Sequence, residues 1–243
     1  MIYAGTGQRA DRAEEYIRGL LANQCMPTLL KAKPSVLVTV NKALIENKDR
    51  FLPLLEEYLS CFECNYLPLQ ETCGRIYLLL YYEPLLRQAL EVKQRQNFLA
   101  SCGYGKYIQD GEYSAGSEYQ EYSEYGGGGD GSGGRVLLEG ALMRLGYRYH
   151  SYWEADDFPH EIGIFLGYPL ADVTGFIKNK GRNYLLCGMW KVYRQEETAA
   201  TAFQYYRRMK EQAVRRLERG NDLNIPDFWY AEERTYLKGL LDY

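Results

Sequence analysis

The stretch Arg75-Ile-Tyr-Leu-Leu-Leu-Tyr-Tyr82 decides the fold. It is continuously apolar and aromatic, which is typical of a strand that is covered on both faces. Gly74 precedes it, and Glu83-Pro84 follows it with proline in the tolerated first turn of a helix. The sequence therefore predicts a central strand at 75–82 that leads directly into a helix, and that helical region ends near Cys102-Gly103.

The chain before this strand predicts one more strand between two helices. Ile17, Leu20 and Leu21 follow helical spacing, so a helix is expected over 11–23. Pro34 opens the β-rich run 35–40, which predicts a strand. A further helix is expected over 49–60, with its proline, Pro53, in the first turn.

An insert interrupts this pattern at 109–134, with the sequence QDGEYSAGSEYQEYSEYGGGGDGSGG. The segment has no apolar periodicity, places acidic residues between tyrosines and ends in a glycine cluster. Burial of such residues does not offset the entropy lost on ordering them, so a flexible insert is expected. We interpret it as a solvated linker, and an adhesive or phosphorylatable tyrosine tract is the alternative.

The chain after the insert predicts mostly helices. For the short helix that we predict at 160–166, a strand at 162–166 is the alternative, because short apolar runs fit either a helix or a strand. The predicted elements are a helix over 136–145 that ends at Gly146, short helices over 160–166 and 169–177, a strand over 184–193 and a long amphipathic helix over 195–219.

Few strands and segregated helices favour an α+β fold. We expect a small central sheet of about three to four strands, packed with helices around a single core. The predicted organisation is an N-terminal half (1–108) and a C-terminal half (135–219) of one domain, separated by the insert (109–134) and followed by a tail (220–243).

Composition narrows the class of protein. The 243 residues are 46% hydrophobic and 25% charged, and the net charge of −3 provides no general attraction for nucleic acid. Six charged residues lie within the first 20 positions, and the longest apolar runs are far shorter than the ~20 residues that cross a bilayer. We therefore expect a cytoplasmic protein with no membrane partner and no nucleic-acid partner, and we expect its six cysteines to be reduced thiols.

Two segments carry a resemblance to a known family. They are FPHEIGIFLGYPLADVTGFIKNKG at 158–181 and GMWKVY at 188–193. Together with Cys25-Met-Pro-Thr-Leu29, they resemble the uncharacterised bacterial family called domain of unknown function 3793. The resemblance covers roughly residues 20–206 without the insert, and it implies no activity, cofactor or partner.

The first functional hypothesis is a binding or regulatory module. The motif at 158–193 is apolar and punctuated by glycines, and it contains few side chains of the types that catalyse reactions. This pattern predicts a ligand-binding pocket or a partner-facing groove around Phe165, Tyr168, Trp190 and Tyr193.

The alternative is a thiol-dependent enzyme, a hydrolase or transferase. A thiol nucleophile needs a base or a cationic neighbour, and Cys25 with His160 would supply such a pair. Glu161 lies beside the histidine in sequence, and Asn183 or Asp172 would orient its ring. The structural interpretation is a buried cysteine and a His-Glu pair that caps a helix.

Other chemistry-bearing residues match no complete motif. Cys61-Phe-Glu-Cys64 is a CxxC that lacks a second pair. A metal site would need Cys73 as a third ligand and Cys102 or a histidine as the fourth. We expect no metal site there, and the sequence identifies no cofactor. Basic residues at 178–191 and 207–219 indicate solvated faces, with a surface for nucleic acid or a phosphorylated ligand as the alternative.

Overall fold

The computed structural model describes residues 12–45, 48–109, 134–155 and 157–223. Most of the predicted insert and the tail after Leu223 lie outside these residues. The helices are α1 (Arg12–Leu20), α2 (Met26–Leu29), α3 (Lys48–Ser60), α4 (Glu83–Leu90), α5 (Lys93–Leu99), α6 (Leu138–Ala155), α7 (Ile162–Phe165), α8 (Leu170–Lys178) and α9 (Glu196–Glu218). The strands are β1 (Ser35–Asn41), β2 (Asn65–Glu71), β3 (Arg75–Tyr81), β4 (Ile108–Gln109), β5 (Arg135–Val136), β6 (Leu186–Cys187) and β7 (Lys191–Val192).

The chain forms two compact units. The first unit contains Met1–Tyr82 and Glu197–Tyr243, and the second contains Glu83–Glu196. Nearly all of α9 therefore belongs with the first 82 residues. The predicted grouping into two halves of one domain stays a prediction.

The sheet of the first unit is antiparallel and has the order β1-β3-β2. Its central strand is β3, which confirms the prediction made from the apolar run at 75–82. β2 was not predicted, because it contains Pro68 and several polar side chains. Proline is tolerated at a sheet edge, and β2 lies there with a register shift between Pro68 and Gln70.

The core of the first unit lies between this sheet and the helices α1, α3 and α9. α3 confirms the predicted helix, although Pro53 lies beyond its first turn. α1 continues into a π-helical turn, Leu21–Cys25. α9 contributes buried Met209 and Ala213 to a core whose largest fully buried side chains include Phe51, Phe62, Ile17, Leu21, Met26, Leu29, Leu55 and Leu78.

In the second unit, a buried side chain fixes the point where the chain re-enters the structure after the insert. Gln96 is 1% exposed and bonds both backbone groups of Gly134: the Gly134 N–H donates to its Oε1 at 2.9 Å, and its Nε2 donates to the Gly134 carbonyl. β4 and β5 then pair Ile108 with Val136. These contacts hold both ends of the predicted insert next to each other.

The prediction that Gly146 ends a helix was wrong. α6 runs through that position to Ala155. The apolar stripe continues past the glycine, since Leu142, Leu145 and Tyr149 are all buried. Packing along this stripe outweighs the modest cost of a glycine in a helix.

The short helices α7 and α8 confirm the predicted pair, and the alternative strand at 162–166 was wrong. Gly167, in the connection between them, has a φ of 76°, which favours glycine. The predicted strand at 184–193 was also wrong, because the chain reverses there. β6 and β7 pair Leu186 with Val192 in a small hairpin.

The architecture is α+β, as predicted, with helices packed around small antiparallel sheets. In the described part of the chain, no helix combines the length and the apolar character that a bilayer span requires.

Candidate functional site

A buried carboxylate organises the motif at 158–193. Asp172 lies in the first turn of α8 and is 3% exposed. Its Oδ2 accepts a hydrogen bond from Trp190 Nε1 at 2.7 Å. Its Oδ1 accepts from the backbone N–H groups of Tyr193 at 2.7 Å and Arg194 at 3.1 Å. Three donors therefore satisfy the carboxylate and tie the end of the hairpin to α8.

Glycine allows the hairpin to approach α8 closely. A Cβ atom at Gly175 would lie 2.6 Å from Cγ of Tyr193, which is closer than any real contact. A Cβ atom at Gly163 would lie 2.7 Å from Cγ2 of Val173, so α7 and α8 also depend on a missing side chain. The glycines at these two positions thus allow the elements of the motif to pack closely.

An aromatic pair lies beside the carboxylate. The rings of Tyr168 and Trp190 stack with centroids 5.0 Å apart and planes 26° apart. The Tyr168 hydroxyl donates to the Met189 carbonyl at 3.4 Å, and burial raises the pKa of Tyr168 to about 12. Trp190 is therefore held both by stacking and by its hydrogen bond to Asp172. We call Tyr168, Trp190 and Tyr193 the aromatic platform.

Phe165, the fourth residue predicted to bind a ligand, has a different position. It is fully buried, and its ring packs against Tyr104 with centroids 5.6 Å apart. Phe165 thus belongs to the core of the second unit, whereas the other three predicted residues are partly exposed.

His160 lies in aromatic surroundings. Its ring is 5.3 Å from the Phe158 ring and 5.2 Å from the Phe176 ring, measured between centroids. Burial lowers the pKa of His160 against the opposing effect of Glu161 and Asp157. This shift favours the neutral imidazole.

Glu161 and Asn183 have other partners. The Glu161 carboxylate is buried and accepts hydrogen bonds from Arg148 Nε at 3.0 Å and from the Tyr104 hydroxyl at 3.3 Å. Asn183 is exposed, and its Nδ2 lies 3.4 Å from Oδ1 of Asn179. These contacts account for both side chains in structural terms.

Cys25 belongs to the first unit, whereas His160, Glu161 and Asn183 belong to the second. The thiol is fully buried, with its Sγ 3.9 Å from the Leu20 carbonyl oxygen. Burial, and then proximity to Cys64, raise the pKa of Cys25 far above that of an ordinary thiol. The catalytic group assembled from these four residues stays a prediction.

The CxxC motif divides between surface and interior. Cys61 is exposed and Cys64 is buried, and burial raises the pKa of Cys64 to about 12. Across the described residues, no three His, Cys, Asp or Glu side chains lie in an arrangement that holds a metal ion.

A family model matches residues 21–113 and 130–225, which is most of the chain. Its description is "Protein of unknown function (DUF3793)". The chain belongs to this family. No curated protein and no solved structure shows significant similarity to the chain. The resemblance found in the motif at 158–193 is therefore confirmed, and the aromatic platform lies within the family region.

Sequence reasoning missed the two polar anchors of this family member. Asp172 appeared only as a candidate to orient His160, although it bonds Trp190 and the hairpin backbone. Arg148 was not considered, although it is a partner of buried Glu161. In the sequence, the one sign of such an anchor is a polar residue inside an apolar motif. This sign does not identify the residue that the anchor bonds.

Proposed function

We propose that the chain is a cytoplasmic binding module that holds its ligand at the aromatic platform, Tyr168, Trp190 and Tyr193. The observation that carries the proposal is the satisfied Asp172 carboxylate, which orients Trp190 and the backbone at Tyr193. All six cysteines are free thiols, which supports a reducing compartment.

Rigidity is what a recognition surface needs. A side chain that is already ordered loses little entropy on binding, so more of the contact energy contributes to affinity. The stacked pair and the close contact at Gly175 order these rings before any ligand arrives. Aromatic side chains held in this way are common anchors in binding sites.

The Tyr193 hydroxyl adds a polar group to the platform. It is buried and has no hydrogen-bond partner among the described residues. An unsatisfied buried hydroxyl costs about 1 to 3 kcal/mol, which a ligand oxygen placed within reach would relieve. The platform thus combines apolar faces with one directional polar contact.

The thiol-dependent enzyme remains the alternative, and it has less support. A nucleophilic cysteine is exposed and has a lowered pKa, whereas Cys25 is fully buried and has a raised pKa. His160 is held between two aromatic rings. These features suit side chains that pack in a core.

The platform can be tested with full-length protein containing 5-fluorotryptophan, observed by fluorine NMR. The Trp190 signal is assigned with the Trp190→Phe variant, and Trp153 serves as the internal control. The probes are nucleotides, amino acids, organic acids, sugar phosphates, a glutamate–tyrosine copolymer and a lysine–tyrosine copolymer. A saturable shift of the Trp190 signal, with the Trp153 signal unchanged, supports the proposal.

Failure of every probe to move the Trp190 signal at its solubility limit would overturn the binding module. If a probe binds, Asp172→Asn should weaken that binding by about tenfold or more, because Trp190 loses its charged acceptor. Equal binding by the variant would show that the orientation of Trp190 is irrelevant to recognition.

A further inference from the structure

One segment of the second unit is basic and contains no acidic residue. Residues 173–194 contain five basic side chains and no acidic one, in a chain whose net charge is −3. Such a local excess attracts anionic partners even when the whole protein is acidic. The five are Lys178, Lys180, Arg182, Lys191 and Arg194.

These basic residues have different roles. Lys191 is partly buried: its Nζ donates to the Gly181 carbonyl at 2.6 Å and lies 5.0 Å from the centre of the Tyr184 ring. Lys178, Lys180 and Arg182 are exposed on the segment that leads into β6. Lys178, Lys180 and Arg182 therefore present their charges to solvent next to the hairpin.

Apolar side chains are exposed in the residues that follow, at 184–189. Leu185 is 57% exposed, Tyr184 is 44% exposed and Met189 is 38% exposed. Cys187, which lies between them, is also exposed. Exposed apolar side chains beside basic ones are typical of an interaction surface, because contact between apolar side chains and water is unfavourable.

β6 also has an open edge. Within the described residues its sheet contains only β6 and β7. β7 is the strand that lies against α8. The contact involves Lys191 of β7 and the hydrogen bond that the backbone N–H of Tyr193, just after β7, donates to Asp172 of α8. On its other side, β6 pairs with no strand of the residues that the structure describes, and an extended peptide can add to such an edge by main-chain hydrogen bonds.

We propose that residues 178–189, the basic hairpin arm, bind an acidic peptide segment that carries apolar side chains and lies extended along β6. The inference rests on the proposed binding function and adds a ligand class for the segment that lies next to the aromatic platform in the chain. Carboxylates of the peptide meet Lys178, Lys180 and Arg182, and its apolar side chains cover Leu185 and Met189. Charge complementarity selects the partner, and backbone pairing sets its direction.

Two other anionic partners fit the geometry less well. A bilayer would leave the open backbone edge of β6 without hydrogen-bond partners once the arm entered the hydrocarbon. Single-stranded nucleic acid requires free aromatic faces for stacking. In the arm, Lys191 lies over the ring of Tyr184.

The test uses the full chain and a fluorescent glutamate–tyrosine copolymer, with binding measured by anisotropy. We expect K178E/K180E/R182E to weaken binding at least about tenfold, because each substitution replaces attraction with repulsion. The matched control is R207E/R208E/R219E, which makes the same charge change at exposed positions of α9 and just after it. The control should change affinity less than about twofold.

A second pair of variants tests the apolar contribution. Leu185→Ser should weaken binding of the copolymer by about threefold to tenfold, since one exposed leucine is lost from the contact. Met143→Ser removes a more accessible apolar side chain, 73% exposed on α6, and should leave the affinity unchanged. Both positions are exposed, so neither variant should compromise folding.

The location of the bound peptide is read from thiol protection. Bound copolymer should slow the alkylation of Cys187 on β6 while leaving exposed Cys61 and Cys73 unaffected. Equal affinity loss in both charge variants, or no protection of Cys187, would overturn the inference.

Tighter binding of anionic vesicles or of a DNA oligonucleotide would also overturn it. If a small molecule moves the fluorine signal of Trp190 but the copolymer does not bind, the peptide inference fails and the binding function stands.

Discussion

The two units bury ionisable side chains in different ways. In the first unit, Cys25 and Lys33 are buried, and burial shifts the pKa of each in the direction that favours its neutral form. In the second unit, the buried carboxylates of Asp172 and Glu161 are surrounded by donors from side chains and backbone. The first arrangement suppresses charge, whereas the second uses charge to hold neighbouring elements in place.

The difference indicates where function is to be sought. A group forced toward neutrality in an apolar core contributes mainly by packing, and it costs stability if it ionises. A buried carboxylate with several donors orders the side chains that bond it, and here those include the partly exposed Trp190. The contrast therefore favours the second unit as the site of recognition.

The largest expected effect is at Asp172. Asp172→Ala leaves three donors without their acceptor, so we expect the free energy of unfolding to fall by about 3 to 5 kcal/mol. Urea denaturation measures the change. Asp157→Ala is the control, since that exposed aspartate forms an ion pair with Arg148 worth about 1 kcal/mol or less. Equal losses in both variants would remove the distinction between the units.

The next effect is a pH dependence in the first unit. Burial lowers the pKa of Lys33 to about 8 from an ordinary 10.5. Between these values the unfolded chain binds more protons, so stability rises with pH in that window. Relative to Lys33→Met, the wild-type free energy of unfolding should rise by about 2 kcal/mol from pH 7 to pH 9.5. If the free energies of unfolding of the two proteins changed equally with pH, the desolvation of Lys33 would be contradicted.

A smaller effect tests the packing of the hairpin on α8. Gly175→Ala places a methyl group against the Tyr193 ring and should destabilise the protein by about 1 to 2 kcal/mol. Gly146→Ala, in α6, meets no atom within 4 Å and should stabilise it by about 0.5 to 1 kcal/mol. Thermal unfolding measures both. A stabilising change at Gly175 would mean that the hairpin is held less closely than its hydrogen bonds imply.

The smallest effect concerns thiol reactivity. At pH 8, iodoacetamide should modify Cys25 at least about tenfold more slowly than exposed Cys61, because Cys25 is buried and stays protonated. Peptide mapping by mass spectrometry gives the rates. Faster modification of Cys25 would reverse the comparison and support the thiol-dependent enzyme.

Much of the fold could be predicted where periodicity was strong. Runs whose apolar residues are continuous or recur at one spacing predicted the central strand β3, the helix α3, the pair α7 and α8, and the long helix α9. β2 was missed because an edge strand needs little apolar character. The hairpin at β6 and β7 was taken for a single strand, since two short strands and a turn resemble one long apolar run.

The candidate site was predictable only in part. Aromatic and glycine residues mark the motif at 158–193, so Tyr168, Trp190 and Tyr193 were selected together. Phe165 looked equivalent in sequence, yet it is a core residue packed on Tyr104. Exposure depends on what covers a side chain, and no local pattern contains that information.

By itself, the sequence determined the α+β class, the main helices, the central strand and membership of the family, because these depend on local spacing and on a long specific motif. Only the tertiary structure decided that Asp172 bonds Trp190 and the hairpin, that Glu161 bonds Arg148, and that Cys25 is buried. The physical reason is that hydrogen bonds and burial are made between residues distant in the chain, and their geometry exists only after folding.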